Sequence, residues 1–254
     1  MSKRILAFMA HPDDAEFKCA GTLARLKKEA GCSIAIATAT SGDCGSVEHD
    51  LNEIARIRHA EAMAAAKVLD AEYYCAGCND LLITYNEENL RRFIEVIRKA
   101  RPDVVITHPP VDYMVDHEMT SVLVRSACFG APIPNFWTRD LDPAPATGAV
   151  PHLYYCTPVD NVDIYGNPVE PAFVVDITAV SKTKQQMLAC HASQRNWLRK
   201  HHGIDEYIEM MKRFDAGIGK RIGRPAGEGF RPHLGHGYPS DNIIAKLLKM
   251  DIAK

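Results

Sequence analysis

The chain opens on a short apolar run, RILAF from Arg4 to Phe8, and then changes period. From Glu16 to Ala30, Phe17, Ala20, Leu23, Ala24 and Leu26 recur at roughly helical spacing until Gly31 stops the pattern. That is a strand, a loop and a helix. A second β-rich run, SIAIATAT from Ser33, leads through the turn-rich SGDCGS into the helical pattern DLNEIARIRHAEAMAAAKVLD. EYYCAG and DVVITH read as further strands around the helix EENLRRFIEVIRKA. Short strands alternating with longer helices predict a Rossmann-like α/β fold, a mostly parallel sheet with helices on both faces.

Beyond this core the pattern weakens. From Gly130 to Gly148 the sequence turns to Pro, Gly and Asp, which predicts a surface loop over 130–150 of the kind that covers a site. HLYYC and AFVVDI read as late strands, the second ahead of a helix capped near Ser181, and Asp241 to Met250 reads as an amphipathic helix. GRPAGEGFRPHLGHGYP reads as an irregular C-terminal extension. No repeat interrupts the order, so one domain is expected over 1–254: a core over 1–129, a lid over 130–150, and late strands, helices and the extension over 151–254.

Composition narrows the function classes. With 254 residues, 46% hydrophobic and 24% charged, the chain can bury one substantial core. A net charge of -2 without a basic cluster argues against nucleic acid or an anionic membrane as partner and favours a small polar substrate. No apolar stretch approaches the ~20 residues of a bilayer span, and the N-terminus meets acids too early for a signal peptide. A soluble, cytoplasmic protein is expected. Its eight cysteines are scattered through a long chain, which predicts reduced thiols.

In parallel α/β sheets the ligand crevice lies beyond the carboxyl ends of the strands. Four polar clusters fall there: HPDDAE, SGDCG, CAGCND and HPPVDYMVDH. A catalytic zinc takes three protein ligands from His and carboxylate and leaves a position for water. His11 and one of Asp13 and Asp14 can supply two ligands from a turn stiffened by Pro12, and His117 can bring the third. The remaining aspartate is then free to act as general base. The bland alternative is that His11 and Asp14 cap the following helix. One aspartate suffices for a cap, however, and a second beside it, with Glu16 behind, adds repulsion that a cation or a base role offsets.

These residues resemble the LmbE-like, or PIG-L, family of zinc-dependent N-acetylglucosaminyl deacetylases. AHPDDAE is similar to the family's opening HPDDE motif, and DYMVDH to its second motif ending in DH. TSGDCG, RHAEAMAAAKVLDAE, HASQ and GEGFR resemble further family elements in the expected order. The resemblance implies His11, Asp14 and His117 as zinc ligands, Asp13 as general base, and Arg58 as a contact to substrate or product acetate, with Glu61 orienting it or forming an ordinary surface pair. It implies hydrolysis of an acetamide by metal-activated water, on a small N-acylated sugar or sugar conjugate, and it allows a homo-oligomer assembled through C-terminal segments.

One position departs from the pattern. The family's second motif usually reads H-x-D-H, its first histidine, held by the following aspartate, stabilising the oxyanion; Met114 stands there in this chain. A thioether cannot donate a hydrogen bond, and losing one oxyanion donor typically costs ~2.7–4 kcal/mol. Tyr113, His108 and His191 are the candidate replacements. Alternatively the amide substrate differs, or the protein is a weakly active or non-catalytic metal-dependent carbohydrate binder. A nucleotide-binding Rossmann protein is disfavoured, because no G-x-G-x-x-G follows the first strand. Other polar residues carry weaker signals: His233 and His236 as site-lining or solvated, Cys75 and Cys78 as packed thiols, His201 and His202 as a solvated face, and Trp137 as a stacking platform or local packing.

Overall fold

The computed structural model describes residues 2–194 and 206–251. His201 and His202 lie outside them. Seven strands form one sheet: β1 (Arg4–Met9), β2 (Ser33–Thr40), β3 (Glu72–Cys78), β4 (Val104–Thr107), β5 (His152–Cys156), β6 (Phe173–Asp176) and β7 (Gly227–Pro232). Their order is β3-β2-β1-β4-β5-β7-β6. The first five strands pair in parallel, while β7 runs antiparallel to both β5 and β6. The helices are α1 (Asp14–Lys18), α2 (Ala20–Ala30), α3 (Leu51–Val68), α4 (Glu87–Ala100), α5 (Val115–Gly130), α6 (Ser181–Ala189), α7 (Glu206–Gly219) and α8 (Ile243–Leu247).

The period of two along β1 assigns each residue to a face. Ile5, Ala7 and Met9 join Leu23, Leu26 and Met187 in a core with α2 and α6, whereas Leu6 and Phe8 join Phe93, Ile97 and Leu123 in a core with α4 and α5. Phe8 stacks on Phe93 at 4.6 Å. Burying a side chain of this size contributes roughly 1.5–3 kcal/mol, so β1 is fastened from both sides. Strand order reverses between β1 and β4, and the crevice opens at such a switch point. The loops after these two strands carry His11 and His117.

Three sequence expectations change. The helix expected from Glu16 to Ala30 is two helices, broken at Cys19 (φ -144°, ψ 4°). The break lets the Gly21 and Thr22 amides, at the start of α2, donate to the Glu228 carboxylate at 2.9 and 2.6 Å. Second, the expected irregular GEGFR is strand β7. It reads as a loop because it carries two glycines and is followed by Pro232. Yet a Cβ at Gly227 would lie 2.8 Å from Val174 and one at Gly229 2.9 Å from Thr157, so glycine is what lets the strand fit.

Third, 130–150 does not cover the crevice. It follows α5 and packs along α4, with Arg139 reaching Glu87 in the first turn of that helix at 3.1 Å, and none of its residues lines the cleft beside His11. Arg98 donates to the Ala131 and Ile133 carbonyls at 3.0 and 2.7 Å, and Glu95 accepts from the Thr138 hydroxyl and the Ala144 amide at 2.6 and 2.9 Å. Trp137 is left exposed. Among the described residues, no helix is long and apolar enough to cross a membrane.

Candidate active site

After β1 the chain turns sharply. Asp13 takes a left-handed φ of 111° and its side chain makes no helix-capping bond. Asp14 does not cap forward either: its Oδ2 accepts from the His11 amide at 2.8 Å. A non-glycine residue in a sparsely populated region costs about 1–3 kcal/mol, and here Arg58 holds it. Arg58 Nη2 donates to the Pro12 carbonyl at 2.6 Å and lies 3.3 Å from Asp13 Oδ2. Asp50 caps α3 by accepting from the Asn52 and Glu53 amides, which fixes the helix that carries Arg58. SGDCGS wraps the guanidinium, since a Cβ at Gly42 would lie 2.5 Å and one at Gly45 2.4 Å from Arg58 Nη1.

His11, Asp14 and His117 each bring a ligand atom within 4.8 Å of the other two. Their outer partners give the arrangement direction. Asp116 Oδ2 lies 3.1 Å from His11 Nε2, and Asp112 Oδ1 lies 2.9 Å from His117 Nδ1. The remaining nitrogens face Asp14: His11 Nδ1 is 3.3 Å from Oδ2 and His117 Nε2 is 3.6 Å from Oδ1. Carboxylates on the far side of two imidazoles, with the near nitrogens converging on a third carboxylate, form a donor set that fits a divalent metal. His108, Asp112 and His117 form an overlapping group. It fits less well, because His108 Nε2 already accepts from the Ala10 amide at 3.0 Å and Asp112 faces the outer nitrogen of His117.

The electrostatics follow from burial and these contacts. Burial opposes charge on Asp14, but His117 and His108 outweigh it and hold the carboxyl well below its usual range. Burial likewise opposes protonation of His11, yet Asp116 and Asp14 draw it up to about 10. Asp13 behaves differently: burial raises its carboxyl, and the opposing Arg58 charge does not cancel the shift. Tyr207, from α7, is hydrogen-bonded to Asp13.

A cleft of about 340 Å³ is lined by His11, Asp13, Asp14, Arg58, Tyr113, Met114 and His117, with Cys44, Gly45, Asp80, Leu81, Gln194 and Tyr207 around them. Two of the three candidate donors do not reach it. His108 is fully buried, burial and His117 lowering its pKa to about 4, and its Nε2 accepts from the Ala10 amide and lies 3.2 Å from Asp14 Oδ2, behind the cleft wall. His191 is also fully buried, 3.6 Å from Glu16 behind the site. Tyr113 does reach the cleft, its ring edge-on to His117 at 5.4 Å. Glu61 does not orient Arg58; it accepts from the Ser193 amide and hydroxyl at 2.8 and 2.7 Å.

Several polar groups escaped the sequence reading. Asp112 and Asp116 sit in the second motif, but which histidine each fastens depends on a contact across 105 residues for Asp116 and on a turn for Asp112. Asp80 and Tyr207 carry no local signal. His233 turns away from the cleft and bonds the Tyr155 hydroxyl at 3.0 Å, and His236 does not line it. All eight cysteines are unpaired, and the Cys78 thiol donates to Asn89 at 3.4 Å.

Fold and site define an α/β protein whose crevice, at the switch point of a mostly parallel sheet, gathers donors suited to a cation beside a spare carboxylate and an arginine. Residues 6–128 match the family model PIG-L, GlcNAc-PI de-N-acetylase. Over that stretch, just under half of its length, the chain is similar to the PIG-L (LmbE-like) family. It is 27% identical over 198 residues to a diacetylchitobiose deacetylase of Thermococcus kodakarensis, covering 76% of this chain and 70% of that one. It is 25% identical over 202 residues to a 4-oxalmesaconate hydratase of Pseudomonas putida, covering 76% and 75%. The solved N,N'-diacetylchitobiose deacetylase of Pyrococcus horikoshii shares the fold with a TM-score of 0.75 at 24% identity, over 91% of this chain and 84% of that one.

Proposed function

We propose that this protein is a zinc-dependent amidohydrolase that removes the N-acetyl group from a small N-acetylated sugar or sugar conjugate. The observation that carries this is the convergence of His11 Nδ1 and His117 Nε2 on Asp14, each ring fastened from behind by a carboxylate, with Asp13 beside them. His11, Asp14 and His117 are the ligands of this reading; zinc bound there supplies Lewis acidity toward a carbonyl and toward water. Similarity to that family and the deacetylase relatives supply the substrate class.

The protein's own groups divide the remaining work. Asp13, kept basic enough by burial, takes the proton of the attacking water and returns it to the departing amine. Arg58 fixes the Asp13 turn and offers positive charge to the acyl product. Tyr113 is the hydroxyl donor for the tetrahedral oxyanion, standing in for the histidine that Met114 replaces.

The test is a panel of N-acetylglucosamine derivatives and N,N'-diacetylchitobiose, scored for free amine and acetate with and without added zinc. Stoichiometric amine and acetate support the proposal. Full metal loading with no release from any N-acyl sugar overturns it. Because one relative is a hydratase, an unsaturated dicarboxylate in the same panel separates amide hydrolysis from addition of water to a double bond.

A further inference from the structure

A second cluster of donors stands at the mouth of the same cleft. Asp43, Cys44 and Asp80 each offer a ligand atom within 4.8 Å of the other two. Asp43 and Asp80 are both only 6% exposed, while Cys44 is exposed and lines the cleft with Asp80. The two loops brace one another: the Asp80 amide donates to Asp43 at 2.7 Å and the Cys44 amide to Asp80 Oδ2 at 3.0 Å. That bracing occupies one oxygen of each carboxylate. The other oxygen of Asp80, Oδ1, is buried and has no hydrogen-bond partner among the described residues.

An unpaired buried carboxylate oxygen is costly, and a second buried carboxylate beside it raises the cost. Among the described residues, no lysine or arginine forms an ion pair with either acid; the basic groups nearby are committed elsewhere, Arg58 to Asp13 and His11 to Asp14 and Asp116. We propose that Asp43, Cys44 and Asp80 form a second divalent-cation site, distinct from the His11, Asp14 and His117 centre and suited to a borderline-soft ion such as zinc. One thiolate with two carboxylates matches such an ion better than magnesium or calcium, which take oxygen ligands alone. Ligands bound at about 2.0–2.3 Å lie within roughly 4.6 Å of one another, close to the 4.8 Å within which the three donors already stand. On binding, the Cys44 S–H proton passes to solvent and a sulfur–metal bond forms, with no change of oxidation state.

Sulfur makes the proposal separable from the proposed function, because the first centre has no sulfur ligand. Metal-free protein is loaded with Co2+ and followed by absorption and by elemental analysis. The expected result is about two equivalents per chain, one at each three-ligand set, together with a thiolate-to-cobalt charge-transfer band. Cys44→Ala, which alters an exposed side chain and keeps the amide that braces Asp80, loses the band and one equivalent. Asp80→Asn weakens binding at this site alone, and His11→Ala keeps the band while losing the first centre. A wild-type protein that takes up one equivalent without the band overturns the proposal, as does a band that survives Cys44→Ala.

Discussion

Two regions of this molecule bury charge, and they do so in opposite ways. Behind α6, Lys184 is fully buried and its Nζ lies 2.7 Å from both Asp215 and Glu228, while Glu228 also takes the Gly21 and Thr22 amides. That network closes on itself. Around and behind the cleft, Arg58, Asp80, His108, Asp112 and His191 leave buried polar atoms without partners among the described residues, and histidine nitrogens converge on one carboxylate. A closed network ties α2, α6, α7 and β7 together, whereas an open one keeps donors ready for something that binds. Satisfaction, more than burial, separates structural charge from functional charge.

The sharpest way to break this contrast is to alter one residue in each region and read a different quantity. Asp13→Asn is expected to lower acetate release by about 10²–10⁴-fold, the usual worth of a general base, while metal content and thermal stability hold. Undiminished turnover in that variant would remove Asp13 from the role. Lys184→Met is expected to do the reverse, costing ~3–5 kcal/mol of stability because two buried carboxylates lose their shared cation. Urea denaturation measures it, and a loss below about 1 kcal/mol, the level of a surface pair, would show that the network is not the clamp described here.

The same contrast explains what was legible in the sequence. The alternation of β1 and the helical spacing of α3 to α5 are local, so the parallel half of the sheet follows from period alone. Strand β7 does not, because its glycines answer to close neighbours, Val174 and Thr157, that only the folded chain supplies. At the site, His11, Asp13, Asp14 and His117 stand in recognisable motifs, and the chain brings them together. The roles of Asp112 and Asp116 are different in kind. Asp116 precedes His117 in sequence yet fastens His11, and its second contact is the Leu81 amide at 2.7 Å. The 130–150 segment follows a similar rule: composition marks a loop, and only the folded chain shows that it packs along α4 instead of lining the cleft.

Met114 sharpens the functional side. If the Tyr113 hydroxyl serves the oxyanion, Tyr113→Phe costs ~10²–10³ in kcat with little change in KM, as expected for a donor engaged only in the transition state. Met114→His alone should then change little, because a donor is already present, but in the Tyr113→Phe background it should restore part of the loss. Steady-state kinetics on one N-acetyl sugar read both. A large gain from Met114→His in the otherwise unaltered protein would instead mean that the position lacks a donor and that Tyr113 does not fill it.

The smallest expected effect tests the closed network by pH. Burial, with Glu228 nearby, pushes the Asp215 carboxyl up to about 6 against the attraction of Lys184, whereas an unfolded aspartate titrates near ~3.9. Glu228 takes two amides at the start of α2 as well as the ammonium. Between about 4 and about 6 the folded chain holds more protons at Asp215 than the unfolded chain. Its contribution to stability is therefore greatest at the acid end and falls as pH rises toward 6. Asp215→Asn removes this titration and retains an amide oxygen for Lys184, so the variant's stability should vary less with pH over that interval than the parent's. Parallel curves for the two proteins would mean that Asp215 ionises alike in both states and that Lys184 neutralises both acids fully.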